Sequence, residues 1–166
     1  CAGSVLTAIE SIIDASVTGS SSITANNDIT VSASAVPVMI SIAGNINVGG
    51  TAGIGVASST NDMQSKITAT IDGSKAKATN GNIIVDAAIG TPAVLPTLVT
   101  DVPVDAQIWT FAVAGSGAGN AAVAGSLSLN WIRNVVEAKI SNVGNLEGGG
   151  DEISAGGKIS ATASDA

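Results

Sequence analysis

Three stretches of the chain repeat one pattern. Ile9-Glu-Ser-Ile-Ile13-Asp14-Ala-Ser16 matches Ile67-Thr-Ala-Thr-Ile71-Asp72-Gly-Ser74 position for position, and Val136-Glu-Ala-Lys-Ile140-Ser-Asn returns it more loosely. After a Gly/Ser/Asn-rich turn each is followed by a second short piece: Asp28-Ile-Thr-Val-Ser-Ala33, Asn82-Ile-Ile-Val-Asp-Ala87 and Lys158-Ile-Ser-Ala-Thr-Ala163. Self-similarity at long period, built from strand-length units, constrains the fold more than any other property here. A unit too small to bury its apolar face alone does so by stacking on its neighbours, as in a solenoid. The modules fall near residues 9–35, 67–89 and 136–163, with Ile9 and Ile67 58 residues apart and Ile67 and Val136 69 apart.

Between the modules lie two longer segments that resemble each other. Ile42-Ala-Gly-Asn, followed by Gly49-Gly-Thr-Ala-Gly-Ile-Gly-Val-Ala-Ser-Ser-Thr-Asn61, parallels Ala112-Val-Ala-Gly-Ser-Gly-Ala-Gly-Asn and Val123-Ala-Gly-Ser-Leu-Ser-Leu-Asn130. Asn61 precedes Ile67 by six residues, and Asn130 precedes Val136 by six. Composition bias alone does not keep register over such a distance.

Within these units the alternation has period two. Ile29, Val31 and Ala33 share one strand face, and Asp28, Thr30 and Ser32 the other. Leu127, Leu129 and Trp131 alternate with Ser126, Ser128 and Asn130 in the same manner, which predicts strands half buried on their apolar side. Residues 4–15 also fit a helical stripe through Val5, Ile9, Ile12 and Ile13, but their match to 67–74 predicts a strand. Pro92, Pro96 and Pro103 argue against central strands, since proline donates nothing to a ladder. Residues 89–105 therefore read as a loop leaving the repeat body, and Val36-Pro37-Val38 occupies the matching place after the first module.

The apolar residues are Ala, Val and Ile: 45% of the chain is hydrophobic but only 2% aromatic and 11% charged. That mixture excludes disorder, which combines low hydrophobicity with high charge, and suits a narrow core stacked in layers. Thirteen acids against six bases give a net charge of -7, which disfavours nucleic acid as a partner. Lys75 and Lys77, the densest basic spot, read as solvating residues on a turn. No run of 18 or more apolar residues occurs, and 111–125 is interrupted by Ser116 and Asn120, so no transmembrane segment is expected. Cys1 is the sole cysteine and has no disulfide partner; it reads as a fragment boundary in preference to a lipidated first residue. The third module ends at residue 163 without a cap, which reads as a segment of a longer repeat protein.

Catalytic options are few. Without histidine, neither a Ser-His-Asp triad nor a His-ligated zinc site can be assembled. The acid pairs Asp101/Asp105 and Asp151/Glu152 lie beside turn residues and read as solvated charges, not as a general acid and base. Glu147, Asp151 and Glu152 offer oxygens for calcium, but a glycine-rich corner accounts for them more simply. Gly115-Ser-Gly-Ala-Gly119 has no following Lys-Ser/Thr and is no phosphate loop. Trp109, Phe111 and Trp131 read as filling a wider core layer or covering the end of a loop, in preference to a stacking platform. Thr68/Thr70 and Ser160/Thr162/Ser164 alternate, but outward positions elsewhere vary too much for an ice-ordering face. No catalytic, cofactor-binding or metal residue is assigned, and no cofactor is expected.

The text from Ala122 to Ile140, Val-Ala-Gly-Ser then an alternating strand ending in Asn130 then Val136-Glu-Ala-Lys-Ile140, together with Gly81-Asn-Ile-Ile-Val85, resembles repeats of large bacterial filamentous haemagglutinin-like and leukotoxin-like adhesins. The likeness covers most of residues 40–163 and is one of repeat grammar. It implies a right-handed parallel β-helix, exported by autotransporter or two-partner routes and displayed at the cell surface or secreted. It implies turns of about 20–22 residues, hence about seven or eight turns. The expected function is a structural and adhesive rod segment, not an enzyme. Partners would be a host-cell or surface glycan or protein receptor, flanking repeats of the parent chain, or further copies of itself. The alternatives are a filament subunit and a carbohydrate-active β-helix enzyme. The core is expected to stack Ile29, Ile83 and Ile159, with Val31, Val85 and Ala161 in the next row.

Overall fold

The computed structural model describes residues 2–91, 107–142 and 153–165. Strands take up 79% of them and no helix occurs among them. The strands are β1 (Ala2–Val17), β2 (Ser22–Ala25), β3 (Ile29–Ala35), β4 (Met39–Val48), β5 (Ala52–Asp72), β6 (Lys75–Ala78), β7 (Ile83–Ile89), β8 (Ile108–Gly117), β9 (Ala121–Ser141), β10 (Ile153–Ala155) and β11 (Ile159–Asp165). The strand reading of residues 4–15 holds, because β1 spans them. Each long strand ends at a corner with positive φ, at Gly19 and Ser20, at Gly73 and at Asn142. Asparagine is among the few non-glycine residues that enter this region readily.

Four sheets result, in the orders β1-β5-β9, β2-β6-β10, β3-β7-β11 and β4-β8. Each strand lies beside its counterpart in the next module, and the pairings in the last three sheets are parallel. In the first sheet Asn61 meets Asn130 and Asp72 meets Ser141, both 69 residues apart, so β5 and β9 also run in one direction. The expected rows are present. Ile29 pairs with Ile83 and Ile83 with Ile159, and Val31, Val85 and Ala161 follow two residues on, but Ile159 and Ala161 are exposed, so of the expected core only Ile29, Ile83, Val31 and Val85 are buried.

The length of a layer differs from expectation. Partners lie 53 residues apart in β2/β6, 54 in β3/β7, 69 in β4/β8 and 76 in β7/β11. Turns of about 20–22 residues would give sheets seven or eight strands deep; these sheets are two or three deep. Each repeating set holds four strands, two of them long, so one repeat takes up far more chain. The growing spacing arises in the connections. Residues 36–38 join β3 to β4, whereas residues 90–107 join β7 to β8. Of the expected loop at 89–105, Ile89 ends β7 and Gly90 N–H bonds Ala35 O, while residues 92–105 lie outside the described residues.

The alignment of Ile9 with Ile67 is not the structural register. Ile29 N–H bonds Asn82 O where Ile29 pairs with Ile83; by the same geometry the bond from Ser20 N–H to Gly73 O sets Ser20 beside Ser74, an offset of 54, four less than 58, and past the corner Ser22 pairs with Lys75. An alternating pattern fixes which face a residue occupies. Slips of two or four residues preserve that face, so the corner decides the register.

Contacts divide the chain into two compact units. Unit 2 comprises Ser11–Val36, Ser65–Thr91 and Asn134–Ala166. Its core is the set of Ile, Val and Ala rows, with Ile67, Ile71, Ile83 and Val85 fully buried and Ile13, Val17, Val136 and Ile140 packed against them. Small β-branched side chains repeat themselves layer upon layer, and that is why a core forms with so few aromatics. Unit 1 comprises Cys1–Glu10, Pro37–Gln64 and Pro92–Arg133. It is built on another plan.

Candidate functional site

In unit 1, β4 and β8 pair in register from Met39↔Ile108 to Val48↔Gly117. Their sheet faces the first half of β5 across a thin interior. Ser41 Oγ lies 2.7 Å from Ser59 Oγ, Asn45 Nδ2 donates to Val56 O (3.0 Å), and Asn47 Nδ2 donates to Ile54 O (2.7 Å). The partners advance along β5 as they retreat along β4, so the two strands pack antiparallel. Asn61, fully buried, donates from Nδ2 to Asn130 Oδ1 (2.7 Å) and Thr110 Oγ1 (2.8 Å), and Thr110 Oγ1 also donates to Asn130 Oδ1 (2.8 Å). The matched spacing of Asn61 and Asn130 thus becomes a side-chain ladder.

This interior is polar and close. Its inward positions on β5 are Gly53, Gly55, Ala57, Ser59, Asn61 and Met63, while Ile54 and Val56 face outward. A Cβ on Gly55 would stand 2.3 Å from Gly115 O, and one on Gly53 2.8 Å from Gly117 O. No branched side chain fits between sheets so near. The larger residues therefore take the outer faces: Ile40, Ile42, Ile46 and Val48 on β4, Phe111 and Val113 on β8, and Leu127, Leu129 and Trp131 on β9 are all exposed.

Two expectations are overturned here. Leu127, Leu129 and Trp131 do not form a buried face, since alternation with the inward Asn130 turns them out. Phe111 and Trp131 do not fill a core layer either, and Trp131 is 50% exposed. The signal was present in the sequence: in 43–56 and 112–125 the residues that alternate with Ile and Val are Gly, Ala, Ser and Asn. Such small, hydrogen-bonding residues mark a close sheet-to-sheet approach.

Other candidates are placed as follows. Asp101, Asp105, Glu147, Asp151 and Glu152 lie outside the described residues. Gly115 to Gly119 runs from the end of β8 through a turn into strand β9, with no helix after it. Lys75 and Lys77 belong to β6, not to a turn. Thr68 and Thr70 sit half-buried on β5 opposite the core residues Ile67, Ala69 and Ile71, and Ser160, Thr162 and Ser164 line one face of β11.

The described carboxylate with a displaced titration is Asp72 in unit 2. Ser141 Oγ donates to it at 2.6 Å, Asn142 Nδ2 donates at 2.7 Å, and Lys139 adds its field; together these hold the carboxyl below its usual range. A lowered folded-state pKa stabilises above the unfolded value, about 3.9, and the contribution is lost as pH falls through the folded value. Asp72→Ala should therefore lower the melting temperature at pH 7, and the gap from the parent chain should close as pH falls below about 4. A gap that persists unchanged at pH 2 would contradict this.

No family model, no curated protein and no solved structure matches the chain.

Proposed function

We propose that the chain is a structural and adhesive segment of a bacterial cell-surface or secreted adhesin, coiled as a right-handed parallel β-helix. The observation that carries this reading is the row Ile29, Ile83, Ile159, aligned in parallel between strands 54 and 76 residues apart. Strands that return to their own counterparts a full module later add layers along one axis, and layers so added make a rod with an extended surface. Parallel strands joined by long crossovers are right-handed in about 98% of cases, which supports the handedness. The resemblance to filamentous adhesin repeats supplies the adhesive role, export, and a glycan or protein receptor as partner.

Beads coated with the folded chain should be retained on cultured host cells or immobilised glycans above beads coated with heat-unfolded chain. Equal retention sinks the adhesive reading. A glycan-degradation screen should release no products; new reducing ends would favour a carbohydrate-active enzyme. A filament subunit is the second reading, favoured because β1 and β9 each have a single neighbour in their sheet. Fibre growth that rises with concentration would support it.

A further inference from the structure

The turn end of unit 1 combines features that an aqueous surface does not need. Ile46 and Val48 are each 82% exposed, and Ile54, Val56 and Val123 stand out beside them. The turns at 49–51 and 118–120 are Gly-Gly-Thr and Ala-Gly-Asn, without a charge or a bulky group. Among the described residues of unit 1 only Glu10, Asp62 and Arg133 are charged, and Arg133 is ion-paired to Asp62. Asp62 lies eleven residues along β5 from Thr51, roughly 36 Å at strand rise. Part of the polar backbone at this end is satisfied from within. Gly49 N–H donates to Gly117 O, Gly119 N–H to Gly50 O, and the carbonyls of Ile54 and Val56 accept from Asn47 and Asn45.

We infer that this turn end is a lipid-contacting tip that enters the surface of a bilayer. Both outer faces are apolar, which decides the occupant. One face of the β4–β8 sheet measures roughly 33 Å by 10 Å, on the order of 300 Å². That is well under the ~800 Å² per partner of a stable protein interface, and a second copy seated there leaves the opposite face wet. A fluid apolar phase covers both at once. The depth is limited, because the outer edges of β4, β8 and β9 bear ladder groups that hydrocarbon does not tolerate. An entry of about 5–10 Å, to the headgroup and acyl boundary, takes in Val48, Ile54 and Val123 while the strands beyond stay hydrated. With no charge near the tip, binding is insensitive to lipid charge and to salt. This inference stands on unit 1 alone and does not depend on the adhesive reading.

The test is co-sedimentation of the full chain with phosphatidylcholine vesicles at low and high salt. The expected result is binding at both, reduced at least tenfold by Val48→Asp with Ile54→Asp and unchanged by Ile12→Asp, an exposed apolar position of unit 2. Melting temperature checks that each variant is folded. In a second measurement, Val48→Trp should shift its emission to shorter wavelength on adding vesicles and be quenched by shallowly brominated lipid, while the emission of the parent chain, from Trp109 and Trp131, is not. No sedimentation of the parent chain overturns the inference. So does binding only to anionic vesicles, or full binding by the double variant. Vesicle-independent self-association abolished by the same two substitutions assigns the tip to a second copy and equally overturns it.

Discussion

Replacing Ile83 by alanine should cost about 2–5 kcal/mol, the range for emptying a fully buried branched site. Ile83 is fully buried and is held in register between Ile29 and Ile159. Its removal opens a void bounded by rigid strands above and below, so the site cannot collapse as a loosely packed one does. Ile159 offers an internal comparison: it occupies the same row but is 45% exposed, and Ile159→Ala should lose under about 1 kcal/mol. Domains of this size are stable by about 5–15 kcal/mol, so the first change consumes a large share of the total. Urea denaturation reads it as a lowered midpoint with the slope kept. Equal losses at the two positions would mean that the row does not distribute burial as described.

Gly55→Ala should destabilise by about 1–3 kcal/mol although it adds a single methyl, and Gly55→Val by more. The obstacle is backbone: the new Cβ meets Gly115 O at 2.3 Å and Gly115 C at 3.1 Å, and neither can rotate away. To accept the change, the β4–β8 sheet must move off β5, which stretches the Ser41–Ser59 and Asn61–Thr110 contacts. Gly125→Ala is the matched control. It adds the same methyl on β9 where nothing lies within 4 Å, and loss of a strand glycine there should be neutral or stabilise by about 0.4–1 kcal/mol. Hydrogen exchange across 39–48 and 108–117 should accelerate in Gly55→Ala and not in Gly125→Ala. Unchanged exchange in both would show that the sheets are not in close contact.

Much of unit 2 was legible in the sequence because its apolar face is its buried face. Ile29, Val31, Ile83 and Val85 alternate with polar residues and stack in the predicted order. Asn61 and Asn130 announced their pairing through equal distances from Ile67 and Val136. The ladder offset of β1 on β5 was not legible. An alternating strand looks alike after a slip of two or four residues, and the corner at Ser20 and Gly73, not the pattern, sets the pairing. Nor was the depth of the sheets. The sequence shows that modules recur, but how many strands one repeat contains depends on where the chain turns.

The sequence by itself determined that this chain is all-β, that its strands pair with copies of themselves a module away, and which residues share a face. Periodicity suffices for that, since side chains alternate with period two wherever the strand lies. Only the tertiary structure decided which face is inside. In unit 2 the branched residues meet each other and are buried. In unit 1, Gly53, Gly55 and the Ser and Asn residues meet across sheets too close to admit them, and the same Ile, Val and Leu alternation points outward. Alternation specifies two faces. The distance to the opposing sheet, which alternation alone does not encode, chooses between them.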